Sequence, residues 1–514
     1  MPALVLGIPR RDSRAAGLIS CVAILGGLAI LRGIFAATID LRVDEAYYWT
    51  WSKESVISYL DHPPLIAWCI RATTQLFGDT NFGVRFTGLA AMLIMQLLMA
   101  DIVRRLTHDA RYVLLALLLP EASLDYGLGM AKITPDLALI PCEMAMVWSL
   151  VRLWQSDDLR WWLAAGLFGG LALMSKYTAV LLLPAVLAFA FVPNWRRRQL
   201  ASPWLWGAAL VVLLVTSPML YWNAVHDWAS FRFQLDRPPQ VAGWSARFLG
   251  DFVGQQFVMV GVMLLPIAMI GTVMMAVRGY RTRGPVPILL STAVIFPFGF
   301  FLEHGFDARV GDSWLLFAWP FGFVCATVNL KQWHQESRSR LARIGPAIMI
   351  FAIASGVASV VAVDRYYLAG HTNYLKKDDP IGKEAGFAGV VAEADAARIE
   401  AGAAWFVTTD YRMYSMLRWH LKDTVPVAQI NERARYIGFR EPILDGPTGL
   451  YVASRSDRHR AFPDNAGAAL ETVGEADLNW RGFRYDVYTL QKLTGWKPVL
   501  SPAAGDPFYV ARPN

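Results

Sequence analysis

The chain has 514 residues, 55% of them hydrophobic and only 17% charged, with 20 Trp and a formal net charge of +7. A soluble chain of this length carries about a quarter of its residues as charges, so the composition, with a mean hydropathy of +0.35, excludes a wholly water-soluble protein. The basic residues sit in small clusters between apolar runs and form no tail or helical stripe, which argues against nucleic acid as a partner and for the lipid bilayer.

In chain order, Arg10, Arg11 and Arg14 precede an apolar run from about Ala15. The run is long enough to cross a bilayer and has no obvious small-residue cleavage site, so it predicts an uncleaved first helix. Further apolar runs at 84–103, 112–124, 137–151, 161–174, 178–192, 204–220, 252–277, 286–302, 314–330 and 344–363 bring the expected spans to about eleven. Alternate loops are basic: Arg104/Arg105/Arg111, Arg152/Arg160, Arg196/Arg197/Arg198, Arg278/Arg281/Arg283 and Lys331/Arg338/Arg340/Arg343. This bias puts the N-terminus inside and, with eleven crossings, residues 364–514 outside, in a bacterium the periplasm. The expected architecture is an α-helical polytopic bundle (1–363), with a first outer loop at 37–83, and a small outer α/β domain (364–514). Within that domain 389–401 reads as a helix, and 404–408, 425–430, 449–453 and 484–490 read as strands. Cys21, Cys69, Cys142 and Cys325 have neither metal-ligand nor disulfide spacing and read as apolar fillers.

The first outer loop carries most of the chemistry. Asp44-Glu45 leads into Tyr47, Tyr48, Trp49 and Trp51, and Asp61-His62 is followed by Pro63-Pro64. A carboxylate there suits a general base and aromatic faces suit sugar rings, although an interfacial aromatic belt with solvated acids explains the same residues. Thr134-Pro135-Asp136 supplies a second acid on the same side, which equally suits a helix N-terminus. Arg85, Lys132, Lys176, Arg232 and Arg309 are cations on a side otherwise poor in them; each suits a phosphate or a snorkelling anchor, and Lys176 is singled out by its very short link. Glu121 and Glu143 lie inside apolar runs and have no assigned role.

Taken together, Asp44-Glu45-Ala46-Tyr47-Tyr48-Trp49, Asp61-His62-Pro63-Pro64-Leu65, Gly78-Asp79, Gly83-Val84-Arg85, Thr134-Pro135-Asp136, Ser175-Lys176-Tyr177 and Ser217-Pro218 through Gln234 resemble the bacterial branch of the dolichyl-phosphate-mannose–protein mannosyltransferase superfamily. That branch includes the aminoarabinose and galacturonic acid transferases of lipopolysaccharide, and the resemblance runs from about Leu41 to Pro320. It implies a GT-C fold whose first outer loop forms two juxtamembrane helices over the active site. It also implies a polyprenyl-monophosphate sugar donor, inversion at the anomeric carbon, a lipopolysaccharide acceptor and an inner-membrane location with the site facing the periplasm. On the matching positions, Asp44 would be the general base with Glu45 beside it, and Asp136 the second acid. Lys176, Arg85 and Arg309 would hold the leaving phosphate, while Tyr47, Tyr48, Trp49, Asp61 and His62 would contact substrate. Gly311-Asp312-Ser313-Trp314 departs from the family's pattern before a late span. A lipid phosphate leaves well once cations neutralise it, so no cofactor is required. A divalent ion is an option, with Glu45, His62, Glu303, His304 and Asp307 as candidate ligands. Among sugars the reading prefers galacturonic acid. The alternatives are a protein O-mannosyltransferase-like enzyme and a lipid or sugar transporter; against the latter, no inverted repeat is visible and the informative charges gather at one surface.

Overall fold

The computed structural model describes residues 10–192, 195–235, 246–337, 339–369, 374–379, 381–456, 462 and 468–496. Arg338, one member of the last basic cluster, lies outside the described residues. Apolar composition and sparse charge produce helices α1 (Arg10–Thr38), α2 (Val43–Lys53), α3 (Leu65–Phe77), α4 (Asn81–Thr107), α5 (Ala110–Glu121), α6 (Leu124–Gly127), α7 (Asp136–Ser156) and α8 (Trp161–Leu173). There follow α9 (Leu183–Ala190), α10 (Arg196–Leu200), α11 (Pro203–Val225), α12 (Ala229–Leu235), α13 (Ala246–Met259), α14 (Leu264–Thr282), α15 (Pro285–His304), α16 (Trp319–Glu336) and α17 (Arg340–Ala369).

Among the described residues six helices are long and apolar enough to cross a bilayer, or eight if the bent pairs α5 with 124–131 (78°) and α13 with α14 (101°) each count as one span. Against the eleven expected, the difference lies in short helices such as α8, whose 13 residues reach only about 20 Å. Exposed Leu, Ile and Val on α1, α11 and α17 face outward, as a lipid-solvated surface requires. The chain is a multi-pass membrane protein.

Two intramembrane acids have different fates. Glu121 is neutralised by an ion pair with Arg32 of α1 and accepts from Gln96 Nε2 at 2.9 Å, so it ties α1, α4 and α5 together. Glu143 of α7 is buried, and neither carboxyl oxygen has a hydrogen-bond partner among the described residues. Close helix contact elsewhere relies on glycine. A Cβ on Gly88 of α4 would lie 1.9 Å from the Met130 carbonyl oxygen, so only glycine lets α4 approach the 128–135 link that enters α7.

α2 and α3 lie between α1 and α4 and are joined by residues 54–64, which end in the Asp61-His62-Pro63-Pro64 turn. This turn is fastened to the bundle by Leu65 N–H donating to Met174 O at 3.0 Å. Over them sits an α/β domain of α18 (Phe387–Glu400), β1 (Trp405–Thr408), α19 (Tyr411–Leu421), β2 (Val427–Gln429), β3 (Thr448–Ser454), β4 (Ala469–Trp480) and β5 (Phe483–Thr494). The sheet order is β2-β1-β3-β5-β4, with β1 parallel to β2 and β3, and β5 antiparallel to β3 and β4. β4 is absent from the sequence reading because it is an edge strand: its first five residues are exposed, so hydropathy does not mark it.

Candidate active site

The acid pair at the start of α2 divides because successive helix residues point about 100° apart. Glu45 turns into the protein and is fully buried. Its oxygens accept from Arg85 Nε (2.8 Å) and Nη2 (2.6 Å), from Arg42 N–H (2.9 Å) and from Ile133 N–H (3.0 Å). Burial alone would raise its pKa; the Arg85 guanidinium and these N–H groups outweigh it and hold the carboxyl below the usual range. Arg85, 1% exposed, also donates to the carbonyls of Ile39 (2.5 Å), Asp40 (2.8 Å) and Ala36 (3.3 Å). Its donors are committed to protein partners, which corrects the expectation that Arg85 binds phosphate and that Glu45 acts directly. The pair instead fixes the start of α2 against α4 and the 128–135 link.

Asp44 points the other way, into a cavity of about 530 Å³. Burial, and then the Glu384 carboxylate, push its pKa up; Lys132, Arg42 and a 3.4 Å hydrogen bond from Tyr411 Oη oppose the shift. The same cavity receives Asp136 and Lys176. Asp136 is the first residue of α7, and Lys176 occupies an extended link after α8 (φ −156°, ψ 140°). Lys176 Nζ donates to Asp136 Oδ2 at 2.8 Å and Oδ1 at 3.0 Å, and both residues are at most 7% exposed. Separate loops therefore deliver two carboxylates and an ammonium to one chamber.

Tyr48 and His62 also line this chamber, whereas Tyr47, Trp49 and Asp61 do not. Tyr47 Oη donates to Asp61 Oδ2 at 2.6 Å, and Asp61 also pairs with Arg435. Burial works to raise the Asp61 pKa, but Arg435 and the Tyr47 hydroxyl leave it lowered. Trp49 Nε1 donates to Asp79 at 2.8 Å while its ring packs edge-on against Trp419. These three side chains support the wall and do not touch its contents, because partners within the protein already occupy their polar groups. Arg309 is exposed and stands outside the lining.

Other lining residues were named in the sequence reading without being placed in the substrate site. Gln234, at the end of the Ser217–Gln234 motif run, reaches the cavity and donates from Nε2 to Asp61 O at 2.7 Å. Asp312, Ser313 and Trp314, the segment that departs from the family's pattern, form part of the lining, as does His304. Lys132 lines it too, and its ammonium makes no hydrogen bond or ion pair among the described residues. Its signal was present, as a cation on a cation-poor side, but nothing local distinguished it from an anchor. A second, more apolar chamber of about 220 Å³ shares Lys132, Thr134, Asp312 and Ser313 with the first. Of the metal-ligand candidates, Glu45 is bound to Arg85, and among the described residues no group of three His, Cys, Asp or Glu side chains is placed to hold a metal ion.

Residues 61–222 match the family model described as dolichyl-phosphate-mannose-protein mannosyltransferase. The lipid A galacturonosyltransferase RgtD of Rhizobium johnstonii is 27% identical over 406 residues, 76% of this chain and 79% of that protein. The solved structure of apo ArnT from Cupriavidus metallidurans superposes with a TM-score of 0.64 at 14% identity, covering 93% of this chain and 98% of that one. The chain is a glycosyltransferase with the GT-C fold. An undecaprenyl phosphate-alpha-4-amino-4-deoxy-L-arabinose arabinosyl transferase of Pseudomonas fluorescens is 31% identical to the glycosyltransferase, but over only 33% of this chain and 32% of that relative. The family match runs from 61 to 222, so in the glycosyltransferase it covers Asp136 and Lys176 but neither Asp44 nor the C-terminal domain.

Proposed function

We propose that this glycosyltransferase moves a sugar, galacturonic acid by preference, from a polyprenyl-monophosphate carrier to lipid A or core lipopolysaccharide, at the periplasmic face of the inner membrane. The observation that carries this reading is the convergence of Asp44, Asp136 and Lys176 on one chamber at the outer helix ends. The similarity to RgtD over three quarters of the chain supports the sugar and the acceptor. The arginine-rich alternate loops support the orientation.

In this scheme an acceptor hydroxyl oxygen attacks the anomeric carbon from the face opposite the phosphate. The bond from that carbon to the phosphate oxygen breaks, and polyprenyl monophosphate departs. The hydroxyl proton passes to Asp44, whose raised pKa makes it the stronger base. Lys176 meets the charge that grows on the leaving phosphate, and Asp136 holds the ammonium in place by its two short contacts. Neither residue needs to move far, because both are fixed at helix or link termini.

A second reading, an amino-sugar donor, draws on the three carboxylates Asp44, Asp136 and Asp312 that line the chamber against the two lysines Lys132 and Lys176. Mass spectrometry of lipopolysaccharide from a deletion strain separates the two. Loss of a uronic acid supports the first, loss of an amino sugar the second, and an unchanged lipopolysaccharide overturns both.

A further inference from the structure

We infer that the C-terminal domain completes the active site: Tyr411 is a positioning residue for Asp44, and Arg435 a positioning residue for the His62 turn. This rests on the reading of Asp44 as general base given above. The family match stops at residue 222, so nothing in it assigns a part in the reaction to this domain.

Tyr411 is the first residue of α19 and is held by its backbone as well as its ring. Asp410 caps the helix, accepting from Arg412 N–H at 2.9 Å, and Tyr411 N–H donates to Glu432 Oε2 at 2.9 Å. The phenol ring packs edge-on against Tyr47 of α2 at 5.1 Å between centroids. From that position Oη donates to Asp44 Oδ1 at 3.4 Å, across 367 residues of sequence. Burial, and then the neighbouring Asp44 charge, push the phenol pKa up, so the hydroxyl stays protonated and serves as the donor.

Arg435 makes the second link. Its guanidinium lies 4.8 Å from the Tyr411 ring centroid and 5.9 Å from that of Tyr47, stands 3.6 Å from Glu432 Oε1, and pairs with Asp61. Asp61 precedes His62, which lines the cavity. One rigid unit of Glu432, Tyr411 and Arg435 thus touches both first-loop elements that face substrate.

Docking alone does not need this arrangement. The domain is already anchored by Trp419 against Trp49, by Arg418 Nη1 to Glu54 Oε1 at 3.0 Å and by Lys422 Nζ to Asp79 O at 3.1 Å. Those contacts engage Trp49 of α2, Glu54 just past its end and Asp79 before α4, while Tyr411 reaches the carboxylate that lines the chamber. A carboxylate with a single soft rotation about its last bond is oriented by whichever donor it meets, and base catalysis depends on that orientation. The groups around Asp44 are Arg42 at the start of α2, Tyr48 within it, Lys132 from the link before α7, Glu384 after α17, and Tyr411. Among them Tyr411 makes the direct side-chain hydrogen bond.

The test uses the full-length enzyme in detergent with a polyprenyl-phosphate galacturonic acid donor and lipid A as acceptor. Tyr411→Phe removes one oxygen and keeps the ring packing. It is expected to lower kcat about tenfold, the lower end of what a hydrogen bond to a charged group contributes, with donor KM unchanged. Because the lost hydrogen bond favoured the ionised carboxylate, the acid limb of the kcat profile shifts to higher pH. Arg435→Lys, which keeps the charge but loses the planar stack, is expected to lower kcat without shifting that limb. A Tyr411→Phe enzyme with wild-type kcat and a wild-type pH profile overturns the inference. Asp44→Asn measured alongside separates the two levels. If it retains turnover, the base assignment itself fails; if it is inactive while Tyr411→Phe is normal, only the role of the domain fails.

Discussion

Replacing Arg85 by Met distinguishes a phosphate ligand from a structural ion. In the folded protein Arg85 and Glu45 are 1% and 0% exposed and share two hydrogen bonds of 2.8 and 2.6 Å. Removing the cation leaves a buried carboxylate deprived of its counter-charge, and breaking such a buried pair costs about 3–5 kcal/mol. The carbonyls of Ile39 and Asp40 lose their donors as well, so the upper half of that range is expected. Adding Glu45→Gln removes the stranded charge while one amide oxygen still accepts from Arg42 or Ile133 N–H, and is expected to recover about 1–3 kcal/mol. Chemical unfolding in detergent micelles measures both, with donor KM determined on the surviving active fraction. An Arg85→Met protein of undiminished stability but sharply raised donor KM would restore the phosphate role and refute the structural one.

Asp44→Asn should reduce turnover about 10²–10⁴-fold, the scale of general base catalysis, while leaving the unfolding transition in place, because Asp44 is only half-buried. Lys176→Ala should act chiefly on donor use; a double-mutant cycle with Asp136→Asn is expected to show coupling of about 0.5–3 kcal/mol in transition-state free energy, and additive effects would separate the two residues. Glu143→Met should stabilise the protein or leave it neutral, by up to about 1–3 kcal/mol, since it removes a buried carboxyl that lacks a hydrogen-bond partner among the described residues; loss of activity at unchanged stability would instead give Glu143 a functional role. Acidification should silence the enzyme before it unfolds. The Asp44 pKa is raised, so the base is protonated first, whereas Glu45 and Asp61 are lowered in the fold. Their contribution to stability is full above their unfolded values and is lost only as pH falls through the depressed folded values, below about pH 4. Activity and circular dichroism followed across the same pH series should therefore separate, and coincident loss would contradict the assignment.

The apolar runs and the arginine alternation made the bundle legible, because lipid solvent imposes both on the sequence directly. The motifs likewise pointed to Asp44, Asp136, Lys176, Tyr48 and His62, which do meet at the cavity. What they could not show was orientation. Tyr47 and Tyr48 are adjacent and alike in type, yet one faces Asp61 and the other the chamber, a difference set by helix rotation and by a domain nearly 400 residues further along the chain. Tyr411 and Arg435 carry no local signal, because in sequence they are ordinary residues of an amphipathic helix and a short turn. Gln234 had one, at the end of a motif run, but its target is a backbone carbonyl that no pattern records.

Charged residues within this protein fall into two classes that composition does not separate. Arg85–Glu45 and Arg32–Glu121 are closed pairs whose remaining polar atoms are spent on neighbouring backbone or amide groups. Lys176–Asp136, at 2.8 Å, lines the larger chamber of about 530 Å³, large enough to admit a phosphate and a sugar ring. Arg85 and Glu45 edge only the smaller one, with the Arg85 donors already taken. A closed pair gains nothing from a ligand, since any new contact must first break an existing one. A pair on an open wall can exchange part of its mutual attraction for contact with a transient charge, and that exchange is the requirement for stabilising a leaving phosphate. By the same criterion the proposed base role fits Asp44 better than the more strongly held Glu45: among the described residues one weak donor, Tyr411, orients the carboxylate without draining its basicity.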